Sequence, residues 1–487
     1  MTVPKDSKTI NPPSSQYPPG PSLSEYAWAY FKEGFDFLRL ARRLVKKYGD
    51  FVHVQIRLQH HFYVNQPDSI EKILQAGEKV RVSRPLPMRR TLGLGLITSE
   101  GDLHSMMRRF MQPYFQKQVV ADKAKMISEQ TQHLINKWQA GEVRDIFQDM
   151  THLALKIIIQ FVFGTAITDV DTIGKIEKAA GVVHHYSHQS LASYINMHVE
   201  ELPFIGKFTP AAHARRFIEK ITYGQIANRR AKQNFEGTDL LSVLLKLQQT
   251  PEGAKFLNDE QIRDELLTTF FAGHETTASA LSWTFYLLSQ HPEVERKFHE
   301  ELDRVLNGRL PTNADLPNLP YTRMVLCESM RLYPPVWTMG RRPPKGQEFW
   351  IGGCLIPVKS MILISPYLIH HDERFYPDPE RFDPERFTPE KENKRLLYTY
   401  FPFGGGNRRC IGESLAWLES ILTLSIIASR WRLRLLPGHR VEMEPLISLK
   451  PKYGMRMIIE SRTPQQAPVL SKDKFKKRDN VATCPFV

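Results

Sequence analysis

The chain has 487 residues, of which 41% are hydrophobic and 24% charged, so it holds enough apolar side chains to bury a large core. Glycine (27) and proline (34) are near average usage and only four cysteines occur, which excludes collagen-like, mainly disordered and disulfide-stapled miniature proteins. The formal net charge of +14 favours an acidic partner, an anionic membrane surface or nucleic acid without distinguishing among them.

The first 22 residues are polar and rich in proline, and they contain no apolar stretch typical of a secretory signal or a membrane anchor. We therefore expect residues 1–22 to form a flexible leader and the chain to lack a transmembrane anchor. The cysteines are irregularly spaced and form no C-x-x-C pair, which favours free thiols and a cytoplasmic location. They are Cys327, Cys354, Cys410 and Cys484.

Two short segments after the leader predict paired strands, because FVHVQI and HHFYVN are rich in β-branched and aromatic residues. From about Ser99 to Ser289 the apolar residues recur with helical spacing. The apolar run that ends at Phe163 is shorter than the roughly 18 residues of a membrane span, so it indicates a core helix.

A second β-rich stretch lies between residues 350 and 369, where glycine and proline interrupt the apolar runs. A helical pattern returns after Cys410, and short strands are expected from Val441. No long linker separates these parts. The sequence therefore predicts an α+β fold, mostly α with a small β-rich lobe, in which residues 23–461 form one domain and residues 462–487 form a basic, mobile tail.

The longest predicted helix, Asp259–Gln290, carries the sequence AGHETT at residues 272–277. Glycine inside a helix costs about 1 kcal/mol relative to alanine, and a carboxylate beside two hydroxyls is unusual in a core. A solvent-facing turn is one interpretation. The other is a polar notch in a buried helix, where Glu275 and Thr276 hold water and pass protons. A zinc-protease H-E-x-x-H motif is excluded because position 278 is alanine.

The sequence FGGGNRRCIG, residues 403–412, has Cys410 between a glycine-rich loop and a helix-compatible run. A cysteine at a helix N-terminus beside Arg408 and Arg409 is expected to form a thiolate, which the helix dipole and the cations favour. The glycines at 404–406 would allow the backbone to approach a flat ligand closely. A phosphate-binding loop is excluded because G-x-x-x-x-G-K-[ST] is absent.

Together, FGGGNRRCIG and AGHETT resemble the cytochrome P-450 family of haem-thiolate monooxygenases. Glu328-Ser329-Met330-Arg331 matches the family's E-x-x-R motif, and Pro384-Glu385-Arg386-Phe387 matches its P-E-R-F motif. E-x-x-R alone is usually a surface pair on a helix, so it gains weight here from its order among the other motifs. The resemblance implies a haem between the long central helix and the cysteine loop. It also implies a buried ion network of Glu328, Arg331 and Arg386 that braces this loop.

The resemblance further implies a haem b cofactor with Cys410 as the axial ligand of the iron. Its propionates need cations or hydrogen-bond donors, and the matching positions predict Arg408, Arg341 and the i,i+4 pair His104 and Arg108. The other predicted cofactor-binding residues are Phe403 and Gly406. The predicted catalytic residues are Thr276, which would hydrogen-bond O2 or a neighbouring water, and Glu275, which would relay protons from solvent.

By this resemblance the protein is a monooxygenase that inserts one atom of O2 into an apolar substrate of the fatty acid, terpene or polyketide class. Electrons would come indirectly from NAD(P)H through a separate ferredoxin or flavodoxin-type donor, because only 77 residues follow Cys410. A basic surface suits an acidic donor. We expect a monomer that binds no nucleic acid. The alternatives are a peroxide-driven peroxygenase or lipid-hydroperoxide isomerase, and a non-catalytic haem-binding or gas-sensing protein.

Family position also predicts residues that face the substrate, with ordinary core packing as the alternative for each. These are the segment Leu86–Leu96 together with Phe270, Ala272, Val336, Trp337 and Ile447. Three histidines in HHYSH could present an i,i+4 metal pair, but the sequence places no acidic residue or cysteine beside them. We therefore interpret His184, His185 and His188 as surface histidines of a helix.

Overall fold

A computed structural model describes residues 17–77, 80–82, 86–187, 205–233 and 235–462 of the chain. Most of the predicted leader, the tail after Arg462 and His188 therefore lie outside the described residues. The described chain is mostly helical and carries small β-sheets. The prediction of a mostly α fold with a small β-rich lobe is confirmed.

The described helices are numbered here in chain order. They are α1 (Leu23–Lys32), α2 (Phe37–Tyr48), α3 (Pro67–Gln75), α4 (Leu86–Leu92), α5 (Gly101–Met111), α6 (Lys117–Ala121), α7 (Ala124–Ile135), α8 (Ile146–Phe163), α9 (Val170–Ser187), α10 (Pro210–Ala231), α11 (Leu240–Gln248), α12 (Gly253–Phe256), α13 (Asp259–Gln290), α14 (Pro292–Leu306), α15 (Pro320–Leu332), α16 (Pro366–His370), α17 (Pro389–Lys394) and α18 (Glu413–Arg430).

The strands are short and form four small sheets within the described ranges. They are β1 (Phe51–Ile56), β2 (Gln59–Val64), β3 (Arg81–Val82), β4 (Val143–Asp145), β5 (Met339–Arg342), β6 (Trp350–Ile351), β7 (Cys354–Leu355), β8 (Met361–Ile364), β9 (Trp431–Leu435), β10 (Met443–Pro445), β11 (Leu449–Pro451) and β12 (Arg456–Ser461). The largest sheet has the order β1-β2-β8-β5-β3, and a second has the order β4-β12-β9. In the largest sheet β2 and β8 are parallel, and the other neighbours are antiparallel.

The predicted strand pair is the hairpin of β1 and β2, which pairs Phe51 with Val64. Residues 17–21, predicted to belong to a flexible leader, contact this hairpin. The ring of Tyr17 stacks on His53 at a centroid distance of 4.5 Å, and the His53 N–H donates to the Pro19 carbonyl at 3.2 Å. This end of the leader is therefore attached to the fold and differs from the prediction.

Helix α13 is the long helix that the sequence predicted, with the same bounds. The side chain of Asn258 caps the first turn of the helix by accepting from the Gln261 N–H. The helix ends just before Pro292. Its central glycine has a packing role, because a Cβ at Gly273 would lie 2.6 Å from Cδ1 of Ile158 on α8. From the sequence, this glycine was interpreted as part of a polar notch. In the structure it allows α8 and α13 to approach each other closely.

One helix of the described chain, Ile146–Ala166, is long and apolar enough to cross a bilayer. Within its most apolar window, 67% of the residues are buried inside the protein. This burial is the one expected of a core helix, in agreement with the interpretation of the run that ends at Phe163.

Helix α18 buries a carboxyl group in an apolar part of the core. The side chain of Glu419 is 3% exposed, and its Oε1 has no hydrogen-bond partner. Burial raises the pKa of Glu419 to about 8. The group is therefore neutral in the folded protein at neutral pH but ionised in the unfolded chain, so it weakens stability as pH rises.

We expect Glu419→Gln to stabilise the protein more at alkaline than at acidic pH. The raised pKa means that the wild type loses stability between pH about 4.5 and about 8. The gain in unfolding free energy from the substitution should be about 3–4 kcal/mol larger at pH 8 than at pH 5. Urea unfolding at both values measures it. The exposed Glu390→Gln is the control, and an equal gain at both values would contradict the prediction.

Candidate active site

The loop before α18 holds Cys410 in a fixed position. A 3-10 turn, Gly406–Arg408, precedes the cysteine, and the Cys410 N–H donates to the Phe403 carbonyl at 2.9 Å. The backbone N–H of Gly412, the N-cap residue of α18, donates to the Cys410 sulfur. The sulfur therefore sits at a helix N-terminus, as the sequence predicted, and Phe403 acts through its backbone.

The Cys410 thiol is not made acidic by its surroundings alone. Burial raises the pKa of this thiol to about 11, although the Gly412 N–H and the charge of Arg108 lower it. Arg409 also lowers the thiol pKa, as predicted, but it is paired with Glu413 at 2.6 Å, and that carboxylate raises the thiol pKa. A thiolate at this position therefore needs a further positive charge, such as a metal ion bound to the sulfur.

Cys410 is exposed even though the protein surrounds it closely enough to raise its pKa. The two observations agree if the sulfur opens on an interior space rather than on the outer surface. Three cysteines lie in the described ranges, and none of them forms a disulfide: Cys327 and Cys354 are buried, and Cys410 is not. Accessibility thus distinguishes Cys410 from the others.

Gly406 lies close to the backbone at the end of α3. Its φ is +62°, and a Cβ on it would lie 2.0 Å from the carbonyl oxygen of Leu74. This glycine lets the cysteine loop pack on α3, because only glycine fits this backbone conformation and this gap. Its approach to a flat ligand stays a prediction.

The structure brings the three predicted network residues together in the core. The side chains of Glu328 and Arg331 on α15 are both 0% exposed, and Arg331 donates to both carboxylate oxygens of Glu328 at 2.6 and 2.8 Å. The Arg386 guanidinium lies 3.3 Å from the same carboxylate, which also accepts the Asp383 N–H at 2.9 Å. Every charge of the network thus has an opposite charge beside it.

Hydrogen bonds connect this network to the cysteine loop. Arg331 donates to the carbonyl of His370 at 2.7 Å. The ring of His370, which is fully buried, accepts the Phe401 N–H at its Nε2 at 3.1 Å. The Phe401 carbonyl in turn accepts the Gly404 N–H at 3.0 Å. The ion network therefore sets the start of the loop that holds Cys410.

The four predicted propionate-binding residues lie on α5, on β5 and in the cysteine loop. His104 on α5 is 2% exposed, and Arg108, one turn later, donates to the Arg409 carbonyl at 2.6 Å. Arg408 donates to the carbonyl of Ser99 at 2.8 Å. Burial and the nearby charge of Arg408 lower the pKa of Arg341 on β5 to about 10. Two guanidinium groups at close range in a buried place favour an anion between them.

The accessible face of α13 lies in the middle of an otherwise buried helix. Ala272 is exposed, and Thr269 and Thr276 are half-buried, at positions that share one helix face. The Thr276 hydroxyl donates to the Ala272 carbonyl at 2.8 Å. Because the neighbouring positions are buried, this face indicates the wall of an interior space.

Glu275 lies on a different side of α13 and is 8% exposed. Its carboxylate contacts Nδ1 of His184 on α9, and the His184 ring stacks on His274 at a centroid distance of 5.3 Å. Burial alone would raise the pKa of Glu275, but His184 and His274 lower it to about 2. The interpretation of His184 as a surface histidine is therefore wrong, because the acidic companion comes from α13. The side chain of His185 lies outside the described set.

The predicted substrate-facing residues divide into two groups. Ala272 is accessible, while Phe270 is 2% and Trp337 4% exposed. The Trp337 indole N–H donates to the Leu446 carbonyl at 2.9 Å, so this ring belongs to a packed cluster. Core packing is the correct interpretation for Phe270 and Trp337.

Sequence reasoning missed two carboxyl groups of α13 that hold the loop after α4. Asp264 accepts the Leu94 N–H at 2.6 Å, and Glu265 accepts the Leu96 N–H at 2.9 Å. Burial raises the pKa of Asp264 to about 6 and that of Glu265 to about 8. Adjacent acidic residues in an apolar helical run were the available signal, since buried carboxyls require partners.

Comparison with known proteins decides the family, because the cytochrome P450 family model matches residues 18–456. The chain belongs to the cytochrome P450 family. It is 35% identical to cyclooctat-9-en-7-ol 5-monooxygenase of Streptomyces melanosporofaciens over 395 residues, covering 80% of this chain and 84% of the relative. It is 31% identical to cyclooctatin synthase of the same organism over 423 residues, covering 85% and 89%.

A solved structure described as retinoic acid bound cyanobacterial CYP120A1 matches this fold. The TM-score is 0.78 at 23% sequence identity, and the match covers 92% of this chain and 99% of that chain. This likeness establishes the cytochrome P450 fold. The chain is an oxidoreductase of the oxygen-incorporating class, since it shares the family of named monooxygenases.

The residues present fit the haem that membership of the P450 family implies. The described ranges hold no group of three or more histidine, cysteine or acidic residues that could bind a bare metal ion. A metal at Cys410 would therefore need to bring most of its own ligands, as the iron of a haem does. The two neighbouring guanidinium groups of Arg341 and Arg408 suit the anionic propionates of such a ring.

We expect Glu328→Gln to destabilise this P450 strongly. The substitution leaves the buried guanidinium of Arg331 without its counter-charge, and breaking a buried ion pair costs about 3–5 kcal/mol. The melting temperature and the yield of folded protein measure the loss. Arg296→Gln, which breaks an exposed pair with Glu300, is the control and should leave stability nearly unchanged. Equal stability of the two variants would contradict the prediction.

Proposed function

We propose that this P450 inserts one atom of O2 into an apolar substrate of the terpene class, using electrons from a separate donor protein. The observation that carries the proposal is the accessible face of α13. It presents the Thr276 hydroxyl, and the residue directly before Thr276 is Glu275, whose carboxylate is buried. A hydroxyl and a carboxylate on adjacent residues of one helix are suited to proton delivery.

The cofactor would be a haem b held by Cys410, which supplies oxygen activation through an electron-donating thiolate. Cys410 would bind the iron, with its lone pairs oriented by the Gly412 N–H. Arg341 and Arg408, with His104 and Arg108 on α5, would hold the propionates. The network of Glu328, Arg331 and Arg386 keeps the cysteine loop in position.

Thr276 would hold a water molecule or O2 at the accessible face of α13. Its hydroxyl now donates to the Ala272 carbonyl, so its lone pairs remain available to accept a hydrogen bond from water. The same hydroxyl can rotate and donate. Glu275 would then donate a proton to Thr276 to replace the one that Thr276 passes on.

The terpene class is favoured by the relatives. Cyclooctat-9-en-7-ol 5-monooxygenase, cyclooctatin synthase and pentalenene oxygenase of Streptomyces avermitilis, the last 28% identical over 91% of this chain, oxygenate terpene substrates. A terpene needs apolar contacts in its binding site. Ala272 on the accessible face of α13 and the half-buried Ile447 are apolar side chains of this kind. A fatty acid or a polyketide is the alternative substrate class.

The electron donor would be an acidic ferredoxin or flavodoxin-type protein. The chain carries a formal charge of +14, and the half-exposed Arg409 lies next to Cys410. Complementary charge speeds encounter between redox proteins. Reducing equivalents would originate from NAD(P)H.

We expect Cys410→Ser to abolish the thiolate-type optical spectrum of the reduced, carbon monoxide-treated haem protein. Serine offers oxygen where the proposal needs an anionic sulfur ligand. Cys354→Ser, at a buried thiol away from the loop, is the control and should keep the wild-type spectrum. A wild-type spectrum in Cys410→Ser would refute the assignment of the ligand.

We expect Thr276→Ala to lower the product formed per NAD(P)H consumed by about tenfold, with peroxide released instead, because protons are no longer delivered. A generic ferredoxin and reductase pair would supply electrons to the holoenzyme. The panel would pair cyclic terpenes with fatty acids, and a parallel assay would use peroxide alone.

Thr277→Ala is the matched control, since Thr277 makes the same type of helix hydrogen bond, to Gly273, but is 5% exposed. Full coupling in Thr276→Ala would remove Thr276 from the mechanism. Turnover with peroxide alone, and none with the donor pair, would favour a peroxygenase. Turnover under neither condition would favour a haem carrier or sensor.

A further inference from the structure

The contact between Glu275 and His184 has no part in the function proposed above. His184 belongs to α9, and its side chain is 16% exposed. Its Nδ1 meets the Glu275 carboxylate, and its ring lies nearly parallel to that of His274, with an interplanar angle of 5°. The His274 Nδ1 is within 3.0 Å of the Phe270 carbonyl, which fixes that ring on α13. His184 is thus held by its contact with the Glu275 carboxylate and by its stack on the His274 ring.

A second polar pair lies closer to the protein surface on the same side of α13. His152 on α8 and Glu177 on α9 are 3.0 Å apart, with side chains 32% and 27% exposed. Glu177 and His184 are seven residues apart on α9, so they share a helix face. The charge of Glu177 also acts on His274. A half-exposed titratable group, Glu177, therefore lies on the same helix as His184, two turns before it.

Glu275 needs a proton source if it serves Thr276. Its pKa of about 2 keeps it a carboxylate at neutral pH, so it must acquire each proton that it passes on. Imidazole changes its protonation state near neutral pH more readily than any other side chain. His184 is in direct contact with the carboxylate that must be recharged.

We propose that His184 delivers protons to Glu275 during turnover, as a positioning and relay residue on α9. This inference rests on the function proposed for Glu275 and Thr276. The His184 imidazolium gives its Nδ1 proton to the Glu275 carboxylate, which becomes a neutral acid. The acid donates that proton towards Thr276, and neutral His184 takes a new proton from water. Each cycle moves one proton from solvent and leaves both residues unchanged.

The charges around the pair come from three directions. His274 faces it from α13, Glu177 acts from α9, and Lys450 on β11 acts on Glu275. Without His184, burial would raise the pKa of Glu275 with only His274 and Lys450 opposing it. Loss of His184 should therefore leave Glu275 protonated over a wider pH range.

His184→Asn is the most direct variant, because the asparagine amide can reproduce the Nδ1–H hydrogen bond but cannot exchange a proton at neutral pH. We expect its product per NAD(P)H to fall by about tenfold at pH 8 and less at pH 6, with a larger solvent deuterium isotope effect than the wild type. The holoenzyme should keep its carbon monoxide spectrum and its substrate affinity. His133→Gln, at an exposed position of α7, is the control and should match the wild type.

An infrared measurement on the holoenzyme gives a readout that does not depend on turnover. His184→Ala should show the absorption of a protonated carboxyl group at neutral pH. This band should be absent in the wild type and in the double variant His184→Ala with Glu275→Gln. Its appearance would support the contact between the two residues in solution.

The results separate failure of this inference from failure of the proposed function. If Thr276→Ala uncouples turnover but His184→Asn is wild-type in coupling, pH profile and isotope effect, His184 is not the relay. If Thr276→Ala also leaves coupling intact, the proposed role of the acid and hydroxyl pair fails first. A lower rate in His184→Asn without any change in pH profile or isotope effect would indicate a purely structural residue and would overturn the proposal.

Discussion

The buried carboxylate of Glu328 determines how the segments next to the cysteine loop are held together. Removing an ion from water costs several kcal/mol unless its charge is matched and its lone pairs accept hydrogen bonds. Glu328 therefore gathers Arg331 from its own helix, Arg386 from the loop before α17 and the Asp383 N–H. Arg331 extends the constraint through the His370 carbonyl. The cysteine loop begins at the last hydrogen bond of this network. The buried network therefore fixes the position of the loop.

Sequence patterns predicted the elements that depend on local chemistry. The bounds of α13 follow from Asn258 at its start and Pro292 after its end, and the β1–β2 hairpin follows from β-branched and aromatic composition. The network of Glu328 with its two arginines was accessible only because several motifs occurred in a known order. Periodicity alone would have left Glu328 and Arg331 as a surface pair on a helix.

Contacts between distant segments could not be predicted from the sequence. His184 and Glu275 are 91 residues apart in the sequence (275 − 184), and no spacing rule joins α9 to α13. The two glycines show the same limit, because Gly273 and Gly406 indicate a close approach without identifying the group that approaches. In the structure these groups are the Ile158 side chain and the Leu74 carbonyl. The sign of the Cys410 pKa shift was also missed, since Glu413 and burial oppose the nearby cations.

Within about one turn, residues 273–276 of helix α13 face three different surroundings. This explains the unusual composition of the centre of the helix. Successive residues of a helix point about 100° apart, so adjacent positions face different surroundings. Gly273 faces Ile158 on α8, Glu275 contacts His184 on α9, and Thr276 belongs to the accessible face. A stretch optimised only for packing would hold larger apolar residues at these positions. The glycine and the buried carboxylate both lower the stability of the helix. They therefore occur only in the turn that packs on α8, contacts His184 and borders the accessible face.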